Sequence, residues 1–298
     1  MLILPFGHDK SVYGRQWITW LLITINALVF AVTALMDRGS DERIHAAVDA
    51  LDSAHEIYPE ARVPSAIFAP LTPRLQSVLG FITSDDPDDA DAPGSFEVRK
   101  AARKLVAAVA DRPNARFGYT PGRPRALGFF ANSFMHADIF HLAGNMLFLW
   151  LVGTVIECYW EIVPFTILYA VSAATGTLAH HLAGPASLSP LIGASGAIAG
   201  LMGAFLVGHP RTQVKMLIFP WILRPHYLIR AVPVWLLLPG WFLLQLYFGV
   251  EASGGKGDGV AYWAHVGGFL TGVAGAVIMK LGGWVVYDAA EVLKKESA

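Results

Sequence analysis

The chain reads Pro190-Leu191-Ile192-Gly193-Ala194-Ser195-Gly196-Ala197-Ile198-Ala199-Gly200 where one of its long apolar stretches begins. Crossing the hydrocarbon core of a bilayer takes roughly 20 helical residues, and the apolar stretch that begins here, at about 190–208, is about that long. Hydrocarbon offers no water to a hydroxyl group, so Ser195 must either pack against a neighbouring helix or take part in chemistry. Packing alone is an alternative, because small residues are common where membrane helices touch.

The composition of the whole chain indicates a polytopic membrane protein. Of its 298 residues, 54% are hydrophobic and 15% are charged, whereas soluble domains are about a quarter charged. The net charge of −1 argues against nucleic acid as a partner. The single cysteine, Cys158, excludes an intrachain disulfide. We therefore predict an all-α bundle that is surrounded by membrane lipid.

Hydropathy predicts six membrane-spanning helices. We place them at about 17–36, 138–157, 163–183, 190–208, 229–249 and 260–281. The first span is too long for the core of a signal peptide, so we expect it to be retained, with residues 1–36 forming an N-terminal segment and the first helix. Residues 127–281 form the membrane core, and residues 282–298 form a tail.

Residues 37–126 differ in composition from the rest of the chain and carry many charges of both signs. Within them, Asp41 to Tyr58 and Phe96 to Asp111 have apolar residues at helical spacing, which predicts two amphipathic helices. Residues 84–89 read as a solvated acidic linker. We therefore predict a small extramembrane domain inserted between the first and second spans.

The Lys and Arg residues of short loops predict the orientation in the membrane. With six spans both termini lie on one side, where nine of these residues fall, against only Lys256 on the other side. The nine are Lys10, Arg15, Arg211, Lys215, Arg224, Arg230, Lys280, Lys294 and Lys295. We therefore place both termini in the cytoplasm and the insert outside it, in a multi-pass protein of a bacterial inner membrane.

This topology brings four polar side chains to similar depth. His141 and Asn145 lie in the first two turns of the second span, four residues apart and so on one helix face. Ser195 lies in the second turn of the fourth span, and His265 lies about one and a half turns into the sixth. Because all three spans enter from the outer side, these side chains fall roughly 5–10 Å below the same membrane face.

Those residue types suit acyl transfer. A serine hydroxyl is a weak nucleophile until a base takes its proton, and histidine is the usual base. We therefore predict that Ser195 is the nucleophile and His265 its base, in a dyad, because no intramembrane acid pairs obviously with the histidine. Asn145 and His141 offer N–H donors to an oxyanion. This chemistry needs no metal or cofactor, and we expect none.

Glycines accompany these side chains. Gly193 and Gly196 flank the serine and let neighbouring backbone approach it. Gly268 and Gly272 are four residues apart in the sixth span, a spacing that allows close contact between membrane helices. We therefore expect the fourth and sixth spans to pack closely enough to bring the two reacting groups together.

These residues resemble the rhomboid family of intramembrane serine proteases over roughly 127–281. The matching motifs are His136-Ala-Asp-Ile-Phe-His141-Leu-Ala-Gly-Asn145, Gly193-Ala194-Ser195-Gly196 and Ala264-His265-Val-Gly-Gly268-Phe-Leu-Thr-Gly272. The resemblance implies a catalytic core at 127–281, with Ser195 as nucleophile and His265 as general base and then acid. It also implies an oxyanion hole lined by His141 and Asn145. His136, at the entrance of the second span, reads as structural.

The resemblance further implies the kind of substrate, and one of the departures from the family bears on the histidine. Substrates would be single-span membrane proteins, cleaved near the outer face after entering by a lateral gate near the fifth span and the loop at 253–259. Some members place a tyrosine four residues after the nucleophile, stacked on the catalytic histidine. Here that position holds Ala199, so another group must orient His265. The sequence indicates neither the native substrate nor the oligomeric state.

Two other classes of protein are alternatives. An inactive relative would bind transmembrane helices without cleaving them, but the loss of Ser195 or His265 that would mark it is absent. A transporter would carry its polar groups near the bilayer midplane and show an inverted repeat. The polar groups here cluster near one face, and no such repeat is evident.

Overall fold

The computed structural model describes residues 2–86, 89, 92–219, 228–253 and 259–285. The chain divides into two compact units. The first comprises Met1–Leu28, Asn132–Pro185 and Leu191–Ala298, and the second comprises Val29–Ala131 and Ala186–Pro190. Most of the predicted gate loop at 253–259 and of the predicted tail at 282–298 lies outside the described residues.

Helices make up most of the described chain. In order they are α1 (Trp17–Ile57), α2 (Ser65–Phe68), α3 (Pro73–Leu79), α4 (Ser95–Ala110), α5 (Pro113–Phe117), α6 (Ala126–Ala131), α7 (Ile139–Trp160), α8 (Ile162–Ala183), α9 (Ser195–Gly208), α10 (Val234–Glu251) and α11 (Tyr262–Leu281). Helix α7 contains a π-helical turn at Leu149–Gly153. Short 3₁₀ turns occupy Gly80–Ile82 and Asn132–Phe134.

Five of the helices found among the described residues are long and apolar enough to cross a membrane, namely α1, α7, α8, α10 and α11. Helix α9 is also apolar but has only 14 residues. A chain with several such helices is a multi-pass integral membrane protein.

The fourth predicted span starts later than expected. Helix α9 begins at Ser195 instead of residue 190, so the serine is the first residue of its helix and does not lie in the second turn. Gly193 has φ +122°, which no α-helical residue adopts, and the helix therefore cannot extend back through it.

A three-stranded antiparallel sheet is a feature that the all-α prediction missed. Strands β1 (Leu2–His8), β2 (Gln213–Phe219) and β3 (Leu228–Pro233) pair in the order β1-β2-β3. Strand β3 occupies the start of the fifth predicted span, and helix α10 follows it from Val234. A short apolar strand next to a membrane span is easily assigned to the span itself, because hydrophobic periodicity cannot distinguish a short buried strand from a helical segment.

Helices α8, α9 and α11 pack together in the first unit. Residues 196–205 of α9 are all buried. There is no room for a Cβ between Gly268 and the carbonyl oxygen of Gly196, or between Gly272 and that of Gly200. The backbones of α9 and α11 are therefore in direct contact, which only glycine allows.

The carboxylate of Glu157, in α7, caps the N-terminus of α1. The backbone N–H of Ile18 donates to Glu157 Oε1 at 2.8 Å, and the backbone N–H and hydroxyl of Thr19 both donate to Oε2 at 2.7 Å. These amide groups have no partner within the helix, and their partial positive charge favours a carboxylate. Glu157 therefore caps a helix that begins 140 residues earlier in sequence.

The second unit contains the continuation of α1 and helices α2 to α6. Helix α1 runs without a break through the first predicted amphipathic helix, and α4 corresponds to the second. The core of the unit is apolar and includes Leu51, Val63, Phe68, Ile82 and Val98. The unit includes the residues of the predicted insert at 37–126, whose position outside the membrane stays a prediction.

Candidate active site

Ser195 and His265 are hydrogen-bonded, with Ser195 Oγ 2.8 Å from His265 Nε2. Ser195 opens α9, and His265 lies in the first turn of α11. The contact between Gly196 and Gly268 lies within one turn of both residues and holds the two helices together beside them. The structure therefore brings together the predicted nucleophile and base, which are 70 residues apart.

The other ring nitrogen of His265 contacts Gln245, a residue that sequence reasoning missed. His265 Nδ1 lies 2.7 Å from the side-chain oxygen of Gln245, in α10. A carbonyl oxygen only accepts hydrogen bonds, so Nδ1 carries the ring hydrogen and donates it. Nε2 is then the acceptor for the hydroxyl of Ser195, as a general base requires.

Aromatic rings surround the same imidazole. Trp241 lies one turn before Gln245 in α10, with its ring centroid 5.9 Å from that of His265 and the planes 34° apart. Tyr262 meets the imidazole edge-on at 6.5 Å. The sequence signal for this part of the site was Gln245 itself, a lone amide in an otherwise apolar span.

His141 and Asn145 both approach the backbone of Gly193 closely. A Cβ placed on Gly193 would lie 2.9 Å from His141 Nε2 and 3.6 Å from Asn145 Nδ2. Asn145 Nδ2 is buried and has no hydrogen-bond partner among the described residues. The backbone N–H of Ala137 donates to His141 Nδ1 at 3.4 Å, which leaves Nε2 to carry the ring hydrogen. Two N–H donors thus lie beside the backbone of Gly193, two residues before Ser195.

The start of α7 holds these donors in place. Asp138 caps the helix, since its Oδ1 accepts from the backbone N–H of Phe140 at 2.8 Å and of His141 at 2.9 Å. His136 is buried with its ring edge-on to His141, at 5.1 Å between centroids. Burial, helped by the neighbouring His141, lowers the pKa of His136 to about 4. His136 therefore packs against the site as a neutral ring at neutral pH.

The turn that leads into Ser195 is anchored by Asn132, a second residue that sequence reasoning missed. The backbone N–H of Gly193 donates to the carbonyl oxygen of Asn132 at 2.9 Å. The buried side chain of Asn132 in turn contacts Thr177 Oγ1 at 3.3 Å. This anchor holds Gly193 at its positive φ, so that its backbone lies against His141 and Asn145.

The assembled groups suit nucleophilic acyl chemistry. A hydroxyl is hydrogen-bonded to an imidazole acceptor, and two N–H donors lie nearby, which are the parts that attack on a carbonyl requires. Among the described residues, no group of three or more His, Cys, Asp or Glu side chains is arranged to hold a metal ion.

Comparisons with known proteins show which family the chain resembles. The family model described as Rhomboid domain matches residues 123–281. Rhomboid protein 1, mitochondrial, of Saccharomyces cerevisiae is 29% identical over 173 residues, 55% of this chain and 43% of the relative. Rhomboid protease GlpG of Klebsiella pneumoniae is 30% identical over 157 residues, which are 52% of this chain and 49% of the relative. Rhomboid protease GluP of Bacillus subtilis is 42% identical over 72 residues, which are 24% of this chain and 14% of the relative. The match spans less than half the length of each of these relatives.

Proposed function

Since the chain belongs to the rhomboid family, we propose that it is an intramembrane serine endopeptidase that cleaves transmembrane helices near the outer membrane face. The observation that carries this proposal is the hydrogen bond between Ser195 Oγ and His265 Nε2. The similarity to relatives named as rhomboid proteases supports the same reaction class.

In the first half of the reaction, Ser195 Oγ attacks the carbonyl carbon of the scissile peptide bond. His265 Nε2 takes the hydroxyl proton as the new C–O bond forms. The carbonyl oxygen becomes an oxyanion, which His141 Nε2 and Asn145 Nδ2 stabilise through their N–H groups. The C–N bond then breaks, the leaving amine takes the proton from His265, and an ester to Ser195 is left.

Water completes the reaction. His265 Nε2 takes a proton from a water molecule, whose oxygen attacks the ester carbon and forms a second oxyanion in the same space. When the bond from carbon to Ser195 Oγ breaks, the proton on His265 returns to the serine. The second product leaves as a carboxylic acid, and the dyad regains its starting protonation.

We propose the following topology for this activity. Helices α1 and α7 to α11 form six spans, with residues 127–281 as the catalytic core and the insert at 37–126 outside the cytoplasm. Both termini are cytoplasmic in a bacterial inner membrane, as the charges of the short loops favour. Substrates are single-span membrane proteins that enter laterally, and helix-breaking or small residues near their outer ends expose the scissile carbonyl.

Reconstitution in lipid vesicles with a single-span substrate tests the proposal. Wild type should cleave the substrate, while Ser195→Ala and His265→Ala should not, and a fluorophosphonate probe should label wild type but not Ser195→Ala. Ser189→Ala is the matched control, because this serine is exposed and outside the site. Cleavage that survives in both site variants would rule out the dyad. A wild type that binds the substrate helix but neither cleaves nor labels would favour the inactive relative instead.

A further inference from the structure

We propose that Gln245 is a positioning residue for His265, whose amide oxygen sets the tautomer and orientation of the imidazole. The inference rests on the proposed function, because its kinetic test measures cleavage. It starts from the 2.7 Å contact between Gln245 Oε1 and His265 Nδ1, formed across 20 residues of sequence between two different helices.

The contact matters because an imidazole has two interchangeable nitrogens. Without a fixed partner, the ring hydrogen can sit on either nitrogen, and with the hydrogen on Nε2 the ring cannot accept the proton of Ser195. In serine–histidine–aspartate sites a carboxylate removes this ambiguity. Here the amide oxygen of Gln245 occupies the corresponding position, so it selects the tautomer without adding a charge to the membrane interior.

The residues around the imidazole of His265 indicate that α10 orients it. Ala199 is buried in α9 and has no ring to stack on His265. Trp241 and Gln245 are one turn apart on α10 and therefore on one face, and both contact the imidazole. Trp241 covers the ring while Gln245 fixes its rotation, so that a single helix supplies both constraints.

A glutamine that merely satisfies its own polar group would behave differently. The side chain of Gln245 is 8% exposed, and a buried amide needs a hydrogen-bond partner whatever its purpose. A packing role predicts loss of stability on substitution, with activity falling in proportion. A positioning role predicts a lower kcat with unchanged KM, and a loss of rate larger than the loss of folded protein explains, because Gln245 acts through His265 and does not touch the substrate.

The kinetic test compares substitutions that separate these roles. Gln245→Leu keeps the approximate shape but leaves the Nδ1 hydrogen without an acceptor, and we expect kcat to fall by about 10- to 100-fold with KM unchanged. Gln245→Glu keeps an acceptor oxygen and should restore most of the lost rate. Leu182→Ala is the control, because Leu182 is an exposed leucine of α8 and lies outside both the predicted gate and the site.

A spectroscopic test needs no activity. Nitrogen NMR of the protein labelled with ¹⁵N-histidine reports which ring nitrogen carries hydrogen, and His265 is the signal that disappears in His265→Ala. Wild type should show His265 with hydrogen on Nδ1, and Gln245→Leu should show a mixture of the two tautomers. Leu182→Ala should match wild type.

The outcomes separate the two proposals. A Gln245→Leu protein with wild-type kcat, with the wild-type tautomer, or with activity that falls only as its melting temperature falls would overturn the positioning role. If wild type neither cleaves nor labels, the proposed function fails, and the ring-nitrogen signals still decide whether Gln245 sets the tautomer of His265.

Discussion

Gly268 packs its α-carbon against the carbonyl oxygen of Gly196, with no room between them for a Cβ. Gly196 directly follows Ser195 and Gly268 lies three residues after His265, so this contact sets the distance between the two hydrogen-bonded side chains. The hydroxyl and the imidazole meet because two helix backbones touch beside them.

Replacing Gly268 with alanine should therefore separate α9 from α11. Overpacking of this kind costs about 1–3 kcal/mol, and the hydrogen bond of the dyad should lengthen with the helices. We expect a lower melting temperature and a loss of cleavage that exceeds the loss of folded protein.

The matched control is Gly240→Ala, since Gly240 also lies within a membrane helix but has nothing within 4 Å of the position of a Cβ. It should leave both stability and cleavage unchanged. Equal behaviour of the two alanine variants would contradict the importance of the contact.

Gly193→Ala should damage the site in two ways. A side chain at φ +122° is strained by about 1–3 kcal/mol, and its Cβ would enter the space bordered by His141 Nε2 and Asn145 Nδ2. We expect kcat to fall sharply in the cleavage assay. Gly283→Ala serves as control, because Gly283 has φ +65° but open space around it. If Gly283→Ala lost as much activity as Gly193→Ala, strain alone would explain the result.

Asn145→Ala should lower activity without lowering stability. Its side-chain nitrogen is buried without a partner among the described residues, so removing it sacrifices no hydrogen bond of that atom in the resting protein. Loss of one oxyanion donor typically reduces kcat by about 10²- to 10³-fold. Asn132→Ala provides the contrast, because that side chain is hydrogen-bonded to Thr177 and its loss should lower the melting temperature. A melting temperature that falls equally in both variants would argue that Asn145 is structural.

Glu157→Gln should destabilise the start of α1. The substitution removes the negative charge and one of the two acceptor oxygens that bind Ile18 and Thr19, which should cost about 1–3 kcal/mol. Thermal melting of wild type, Glu157→Gln, Thr19→Val and the double variant measures the coupling between the two side chains. Strictly additive losses would show that the hydroxyl of Thr19 and the carboxylate of Glu157 act independently.

Asp85 should show a pH-dependent contact within the second unit. The backbone N–H and hydroxyl of Ser65 donate to its carboxylate at 2.9 and 2.8 Å, and they lower the pKa of Asp85 below its ordinary value of 3.8. Because the folded-state pKa is lowered, the stabilisation is fully present above pH 3.8 and is lost as the pH falls through the folded-state value. Ser65→Ala removes one donor, so the Asp85 carboxyl should titrate at higher pH when followed by ¹³C NMR. Identical titrations in the two proteins would refute the contact.

Local patterns were sufficient for much of the fold. Helices α7, α8 and α11 fall within a few residues of their predicted spans, because a long apolar helix is specified by the bilayer and by its own backbone hydrogen bonds. The sheet was missed for the opposite reason. Strand β1 pairs with β2 across about 200 residues, and no local pattern in either strand predicts which strand it pairs with.

The sequence by itself determined which side chains are available for chemistry and predicted a similar depth for them, since apolar length and helical rise depend only on the order of residues. It therefore pointed to Ser195, His265, His141 and Asn145. Only the tertiary structure decided what orients the base. The contact between Gln245 and His265 joins two helices, and its geometry depends on how α10 and α11 rotate against each other, which neither helix specifies alone.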